Sequence, residues 1–216
     1  MAGAPRAGMF GHRGPRTRRL LVFLRTRAQA PVERRTHLDR RRAAPLFRRQ
    51  AVVFTDTADF TARTLADGIL HFLMLLERAA EDVERAVLRC RGHVVKMEAD
   101  SLLLRFPDVA SACRGVAAIE ACLARRNRRL PPNERLRFSY GIGYGDILDL
   151  DDDLFGLEVN LASKLGEDVA RPGEALLTPS AAEAMRGGRR LVPHGRVRFG
   201  PFRLDVRRLP LRPPAR

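Results

Sequence analysis

Lysine is almost missing from this chain. Of forty basic residues only Lys96 and Lys164 are lysine, and the rest are arginine. Long apolar runs are missing too. The longest early one, Leu20 to Leu24, falls far short of the ~20 residues that span a bilayer. Nothing after it resembles a cleavage site, so neither a membrane span nor a signal peptide is expected. Cysteine is scarce: Cys90, Cys113 and Cys122 have no metal-ligand spacing and fall in segments that read as helical. Reduced, buried thiols in a cytoplasmic protein are the expectation.

What is abundant is arginine, unevenly placed. The 216-residue chain has a net charge of +15, with +12 in residues 1–50, −6 in residues 51–185 and +9 in residues 186–216. It divides accordingly into a basic N-terminal extension at 1–50, expected to be partly disordered, a mildly acidic domain at 51–185, and a basic C-terminal segment at 186–216. Hydrophobic residues make up 45 %, enough for one domain with a real core. Solvated flanks are the simpler reading of the arginines. Contact with nucleic acid or an anionic membrane is the alternative, and no interleaved aromatics favour it. Both lysines lie in the acidic domain. In a composition drifted this far toward arginine, a retained lysine points to a site that needs a compact ammonium rather than a planar fork.

The hydrophobic pattern sets the order of elements. Residues 1–18 are too poor in large apolar side chains to fold alone, Leu20 to Leu24 fits a strand or a helix start, and 33–49 is a lead-in of open structure. Val52, Val53 and Phe54 read as a buried strand. Thr61 to Leu65 opens a helical region, and Ile69 to Arg89 carries apolar residues at helical spacing, stopped by Gly92. Val94-Val95 and Leu102 to Leu104 flank a hairpin turn at Glu98-Ala99-Asp100-Ser101. A second helix follows Pro107-Asp108 to about Arg126. Leu136 to Tyr144 is a strand, Gly145-Asp146 a turn and Ile147-Leu148 a short return strand. A third helix spans about Leu157 to Val169, Ala175 to Leu177 is a strand and Ser180 to Met185 a short helix. Alternation within 190–209 suggests a closing hairpin, with a disordered tail after Pro210. The class is α+β, with helices on a mostly antiparallel sheet.

Two carboxylates stand out. Asp56 sits where the first strand leaves the core, and Asp100 at the tip of the hairpin. A strand end and a hairpin tip can meet in space, and paired carboxylate oxygens suit Mg²⁺ or Mn²⁺ while leaving room for substrate phosphates.

Three segments in order now carry a family resemblance. Phe54-Thr55-Asp56-Thr57-Ala58-Asp59-Phe60-Thr61 is similar to F-x-D-I-x-G-F-T. Lys96-Met97-Glu98-Ala99-Asp100 is similar to K-x-x-G-D. Phe155-Gly156 with Val159-Asn160-Leu161-Ala162-Ser163-Lys164-Leu165 is similar to W/F-G-x-x-V-N-x-A-x-R-L. Tyr140 to Gly145 also resembles a G-I-x-x-G segment. Together they resemble the catalytic domain of class III adenylate and guanylate cyclases, over about Ala51 to Met185.

The resemblance implies a ferredoxin-like cyclase fold and conversion of a nucleoside triphosphate to its 3′,5′-cyclic monophosphate and pyrophosphate. It makes Asp56 and Asp100 ligands of two Mg²⁺ or Mn²⁺ ions, and the backbone of Thr57, Ala58, Asp59, Phe60 and Thr61 a phosphate cradle. Lys96 and Asp153 become the purine-reading pair. The ammonium donates to ring N1 and the carboxylate accepts from the exocyclic amine, so ATP is expected over GTP. Asn160 orients the ribose, and Lys164 stands where an arginine steadies the transferring phosphoryl group. A basic contact to the β/γ-phosphates is expected near the C-terminus, with Arg196 and Arg198 as candidates. A head-to-tail homodimer is implied, because the metal aspartates and the purine-reading residues serve different active sites. Asp59 and Ala99 stand where the family has glycine, and Lys164 where it has arginine. These departures motivate the alternative of a catalytically weak or degenerate cyclase-like domain that binds nucleotide or a partner.

Overall fold

A computed structural model describes residues 14–185 and 190–211. Two helices come first, α1 (Pro15–Gln29) and α2 (Val32–Leu38), followed by tight turns of π and 3₁₀ form up to Leu46. The segments read from sequence as ambiguous or open are therefore helical up to Leu46, residues 47–49 begin a strand, and residues 1–13 lie outside the described residues. Then come β1 (Phe47–Thr57), α3 (Phe60–Asp67), α4 (Ile69–Arg89), β2 (His93–Glu98), β3 (Ser101–Phe106) and α5 (Val109–Asn127). The second half is β4 (Phe138–Asp149), β5 (Leu154–Phe155), α6 (Leu157–Lys164), a π turn (Leu165–Val169), β6 (Ala175–Leu177), α7 (Pro179–Ala184), β7 (Val192–Phe199) and β8 (Phe202–Leu209). The expected closing hairpin is β7–β8. The tail expected to be disordered lies largely outside the described residues.

The strands form one sheet in the order β2-β3-β1-β4-β6-β8-β7, with β5 on β4. Every pairing is antiparallel except β4 with β6. The α+β class with a mostly antiparallel sheet is what the chain adopts. Strand β1 is central and covered on both faces, which explains its unbroken apolar run. Ala51 and Val53 pack with Phe72, Leu75 and Val83 of α4 and Val116 and Ile119 of α5. Val52 packs on the other face with Ile147, Val159 and Ala162.

Two readings need correction, and they share a cause. Strand β1 begins at Phe47, five residues before the expected start at Val52, and β4 runs unbroken to Asp149, with no turn at Gly145-Asp146. The two are in register throughout, with Gln50 opposite Gly145, Arg49 opposite Asp146 and Arg48 opposite Ile147. The return strand is β5, not Ile147-Leu148. The polar end of β1 stays in the sheet because β4 supplies acids to it: Arg49 reaches Asp146 at 3.8 Å and Arg48 reaches Asp149 at 3.6 Å.

Cys113 and Cys122 are buried, Cys90 is partly buried, and none of the three is in a disulfide. Among the described residues no helix is long and apolar enough to cross a membrane.

Candidate active site

The end of β1 and the turn between β2 and β3 bring Asp56 and Asp100 together. Pairing of β1 with β3 sets the turn beside the strand end. Thr57 Oγ1 donates to the Asp100 carbonyl at 2.7 Å, and Ser101 Oγ donates to Asp56 Oδ1 at 3.4 Å. Asp100 is only 9 % exposed. Burial, the Asp100 charge and then Glu167 push the Asp56 carboxyl up to about 6, against hydrogen bonds from Ser101 and the Thr57 amide. Burial also raises Asp100. Two crowded carboxylates whose mutual repulsion a cation would relieve form a fitting donor pair for Mg²⁺ or Mn²⁺. Among the described residues no set of three or more acidic, histidine or cysteine side chains forms a cage. The donor set thus suits a metal that keeps water and takes substrate phosphates.

The loop from Thr57 to Thr61 turns from β1 into α3. Asp59 holds the left-handed conformation there, at φ 63°, a conformation that glycine adopts at no steric cost. The Ala58 amide donates to the Arg137 carbonyl at 2.9 Å, so it is already spent. The cradle narrows to the amides at the head of α3, which the helix itself leaves without partners. Asp59 also borders a cleft of about 480 Å³ lined by Arg63, Arg135 and Arg137. The cleft is thus lined by three arginines beside Asp59, and their guanidinium groups bond the backbone carbonyls of Asn133, Arg135, Leu130 and Pro172. Ala99 is likewise left-handed, at φ 53°, and alanine, unlike aspartate, has no side-chain hydrogen bond to offset it. Ala99→Gly is expected to stabilise the protein by about 1 kcal/mol, a rise in melting temperature of roughly 2–4 °C measurable by calorimetry.

A second group lies on β2, the β4–β5 loop and α6. Lys96 Nζ sits 3.0 Å from Asp153 Oδ2 and 3.0 Å from Glu98 Oε2. The same two acids raise the Lys96 ammonium against burial, which lowers it and is the largest single influence. Asp153 Oδ1 accepts from the Leu154 amide at 2.8 Å, so the carboxylate is fixed at both oxygens. On α6, Val159 and Ala162 face the core, while Asn160 and Lys164 lie one turn apart and exposed. Lys164 Nζ pairs with Asp168 at 3.1 Å. Arg196 pairs with Asp205, and Arg198 bonds the Gly200 carbonyl, on the β7–β8 hairpin at the far edge of the sheet. The sheet order thus holds these two apart from the strand end that carries Asp56.

The chain thus gathers two clusters of candidate residues. Asp56 meets Asp100, and Lys96 meets Asp153. Among the described residues no hydrogen bond or ion pair joins the first cluster to Lys96, Asp153, Asn160 or Lys164.

Sequence reasoning missed Ser101, Glu167, Asp149 and Asp151. Asp149 is fully buried, with Arg105 at 2.9 Å, Arg16 at 3.1 Å, Arg48 at 3.6 Å and Gln50 at 3.4 Å. Asp151 accepts from the amides of Arg16 and Thr17 at the head of α1. The run 149–153 is thus a joint between the sheet and α1.

No family model matches the chain. A Rhizobium meliloti (strain 1021) protein named "Putative adenylate cyclase 3" is 29 % identical over 137 residues, which is 63 % of this chain and 23 % of that protein. The chain therefore spans about a quarter of that relative's length. The adenylate/guanylate cyclase/hydrolase from Silicibacter pomeroyi superposes with a TM-score of 0.63 at 26 % identity, over 75 % of this chain and 96 % of that one. The adenylyl cyclase CyaB from P. aeruginosa gives 0.62 at 20 % identity, over 77 % and 97 %. The catalytic core of a rhodopsin-guanylyl cyclase with converted specificity, in complex with ATPαS, gives 0.65 at 17 % identity, over 75 % and 94 %. In fold, and over the segment matched in sequence, the chain is similar to class III adenylate and guanylate cyclase catalytic domains.

Proposed function

We propose that this chain is a nucleotidyl cyclase that converts ATP to 3′,5′-cyclic AMP and pyrophosphate at two equivalent sites of a head-to-tail homodimer. The observation that carries the reading is the Asp56–Asp100 pair, two carboxylates crowded at a strand end beside a phosphate-ready turn. Asp56 and Asp100 would hold two Mg²⁺ or Mn²⁺ ions. Bound there, the ions supply the Lewis acidity that lowers the pKa of the ribose 3′-hydroxyl and neutralises the leaving pyrophosphate.

The protein's own groups do the rest. The head of α3 offers amides to the triphosphate. Lys96 and Asp153 present a donor beside an acceptor, matching N1 and the exocyclic amine of adenine; guanine presents the reverse there. Asn160 orients the ribose, and Lys164 neutralises the phosphoryl oxygens. All these groups occur in one chain as two clusters with no direct hydrogen bond or ion pair between them among the described residues, which supports a site completed by a second copy.

The test is an assay of cyclic product from ATP or GTP with Mg²⁺ or Mn²⁺, beside Asp56→Ala. Product from ATP above GTP, absent in the variant, is expected. No product with either triphosphate and either metal sinks the enzyme reading. Mixing Asp56→Ala with Asn160→Ala chains, each inactive alone, is expected to restore about a quarter of wild-type activity through mixed dimers with one intact site. A mixture as inactive as its parts would remove the composite site.

The Lys164–Asp168 ion pair favours the second reading, nucleotide binding with little turnover. A lysine drawn to Asp168 makes one contact where an arginine fork makes two. Lys164→Arg is expected to raise kcat about tenfold with KM little changed. A variant no faster than wild type would show that this position does not limit turnover.

A further inference from the structure

We infer that the helical N-terminal segment, residues 15–46, is a positioning element for nucleobase recognition, setting the 149–153 loop and through it the carboxylate of Asp153. The ligand in this inference rests on the cyclase reading, while the contacts stand by themselves.

Three successive residues of the loop are gripped by that segment, each by different chemistry. Asp149 has no exposed surface and takes Arg16 of α1 at 3.1 Å, alongside Arg48 and Arg105 of the sheet. Leu150 is buried in a small cluster with Leu20 and Phe23 of α1 and with Ala43 and Leu46 beyond α2. Asp151 crosses 134 positions in sequence to cap α1, accepting from the Thr17 amide at 2.9 Å and the Thr17 hydroxyl at 3.0 Å. Helix α1 needs this cap. Its N-cap residue is Gly14, and its first turn contains no acid, so the anion that favours a helix N-terminus comes from the loop.

The grip passes on to Asp153. The Leu150 amide donates to the Asp153 carbonyl at 2.9 Å and closes the turn. The Leu154 amide then fixes Asp153 Oδ1 while Oδ2 meets Lys96. A contiguous run of contacts therefore connects Thr17 to Lys96. With the loop gripped at three residues, α1 cannot shift without shifting Asp153. Asp149, Asp151 and Arg16 are positioning residues that act through Asp153 on the base.

The scarcity of lysine makes the test direct, because Lys96 and Lys164 are the only side-chain amines. Full-length wild type, Asp151→Ala, Asp151→Asn and Arg27→Ala are acetylated at one fixed pH, and the rate at each lysine is read by mass spectrometry. Releasing the loop in Asp151→Ala should speed modification of Lys96 about fivefold, with Lys164 as the unchanged internal reference. Asn also caps helices well, so Asp151→Asn should stay at the wild-type rate. Arg27→Ala breaks the Arg27–Asp39 pair at 2.6 Å, inside the same segment but off the loop, and should leave Lys96 unchanged. The second readout is equilibrium binding of 3′-deoxy-ATP, which cannot cyclise. Asp151→Ala should weaken it about fivefold in the wild-type background and by less than about twofold when Asp153 is already alanine.

An unchanged Lys96 rate in Asp151→Ala overturns the inference even if wild type binds nucleotide. Equal weakening with and without Asp153 overturns the route through that residue. Wild type that binds no 3′-deoxy-ATP overturns the cyclase reading, and with it the nucleobase role, whatever Lys96 does.

Discussion

Asp56→Asn should abolish cyclic-nucleotide formation, with a loss of roughly 10²- to 10³-fold or more, and at the same time stabilise the metal-free protein at neutral pH. The two effects share one cause. Asp56 is held partly out of water, beside Asp100 and near Glu167, which lifts its carboxyl from 3.8 to about 6. A carboxyl whose folded value lies above its unfolded value binds a proton on folding. The metal-free protein is therefore more stable below pH 3.8 and loses that stability as pH rises to about 6. At 1.36 kcal/mol per pH unit the full effect would approach ~3 kcal/mol. Asp56 is partly open to solvent, and screening reduces this to about 1 kcal/mol. Asparagine keeps the shape and removes the charge. Its gain should be about 1 kcal/mol at pH 7 and near zero at pH 4, measured by denaturant unfolding in chelator. Mn²⁺ at ten times its Kd should then add about 1.4 kcal/mol to wild type and little to the variant. A variant that is no more stable at pH 7 would show that the two carboxylates do not repel, and would weaken the metal assignment before any assay of activity.

The residues that make this pair were legible in sequence because the signals are local. An apolar run ending in Asp56 and a hairpin turn holding Asp100 need only neighbours a few positions away. Lys96 stands out in sequence as one of two lysines, but its pairing with Asp153 is legible only through the family resemblance, and the structure brings the two to 3.0 Å. What was not legible depends on distant partners. The start of β1 is Phe47-Arg48-Arg49-Gln50, which no apolar alternation marks as strand; Asp146 and Asp149 on β4 keep it in the sheet. Starting β1 too late then invites a turn at Gly145-Asp146, since those residues lose their partners. Asp149 looks like one more solvated acid until Arg16, from the other end of the chain, is placed over it. Gly92 was read as the cap that ends α4. The left-handed residue is Arg91, at φ 63°. Gly92 is small for a different reason: a Cβ there would lie 2.3 Å from the Phe106 ring.

Gly141→Ala should have the largest effect on stability, and on the geometry of the second cluster. Strand β4 runs directly beneath α6, and the contact is backbone on backbone. A Cβ on Gly141 would lie 1.9 Å from the Ala162 carbonyl oxygen and 2.8 Å from the Gly166 amide nitrogen. Neither atom can swing away as a side-chain end could. The methyl group must either push α6 and the following π turn off the sheet or unfold the domain. The expected cost is about 3 kcal/mol or more, which lowers the melting temperature by roughly 6–12 °C in a domain of this size. Gly145→Ala is the matched control. Its Cβ would meet only Cγ of Glu158, at 3.1 Å, a side chain held by Tyr144 and Thr178 that need give only a few tenths of an ångström, so a smaller cost of about 1 kcal/mol is expected. The functional consequence follows from what α6 carries. Asn160 and Lys164 project from the same two turns that Gly141 lets approach, and a displacement near 1 Å at such a site costs on the order of 10²-fold in rate. At a temperature where Gly141→Ala remains folded, kcat should therefore fall about 10²-fold, while Mn²⁺ binding at Asp56 and Asp100, in the first cluster, stays near wild type. Equal loss in both readouts would mean that the methyl group disturbs β1 as well, and that the two clusters are coupled within one chain.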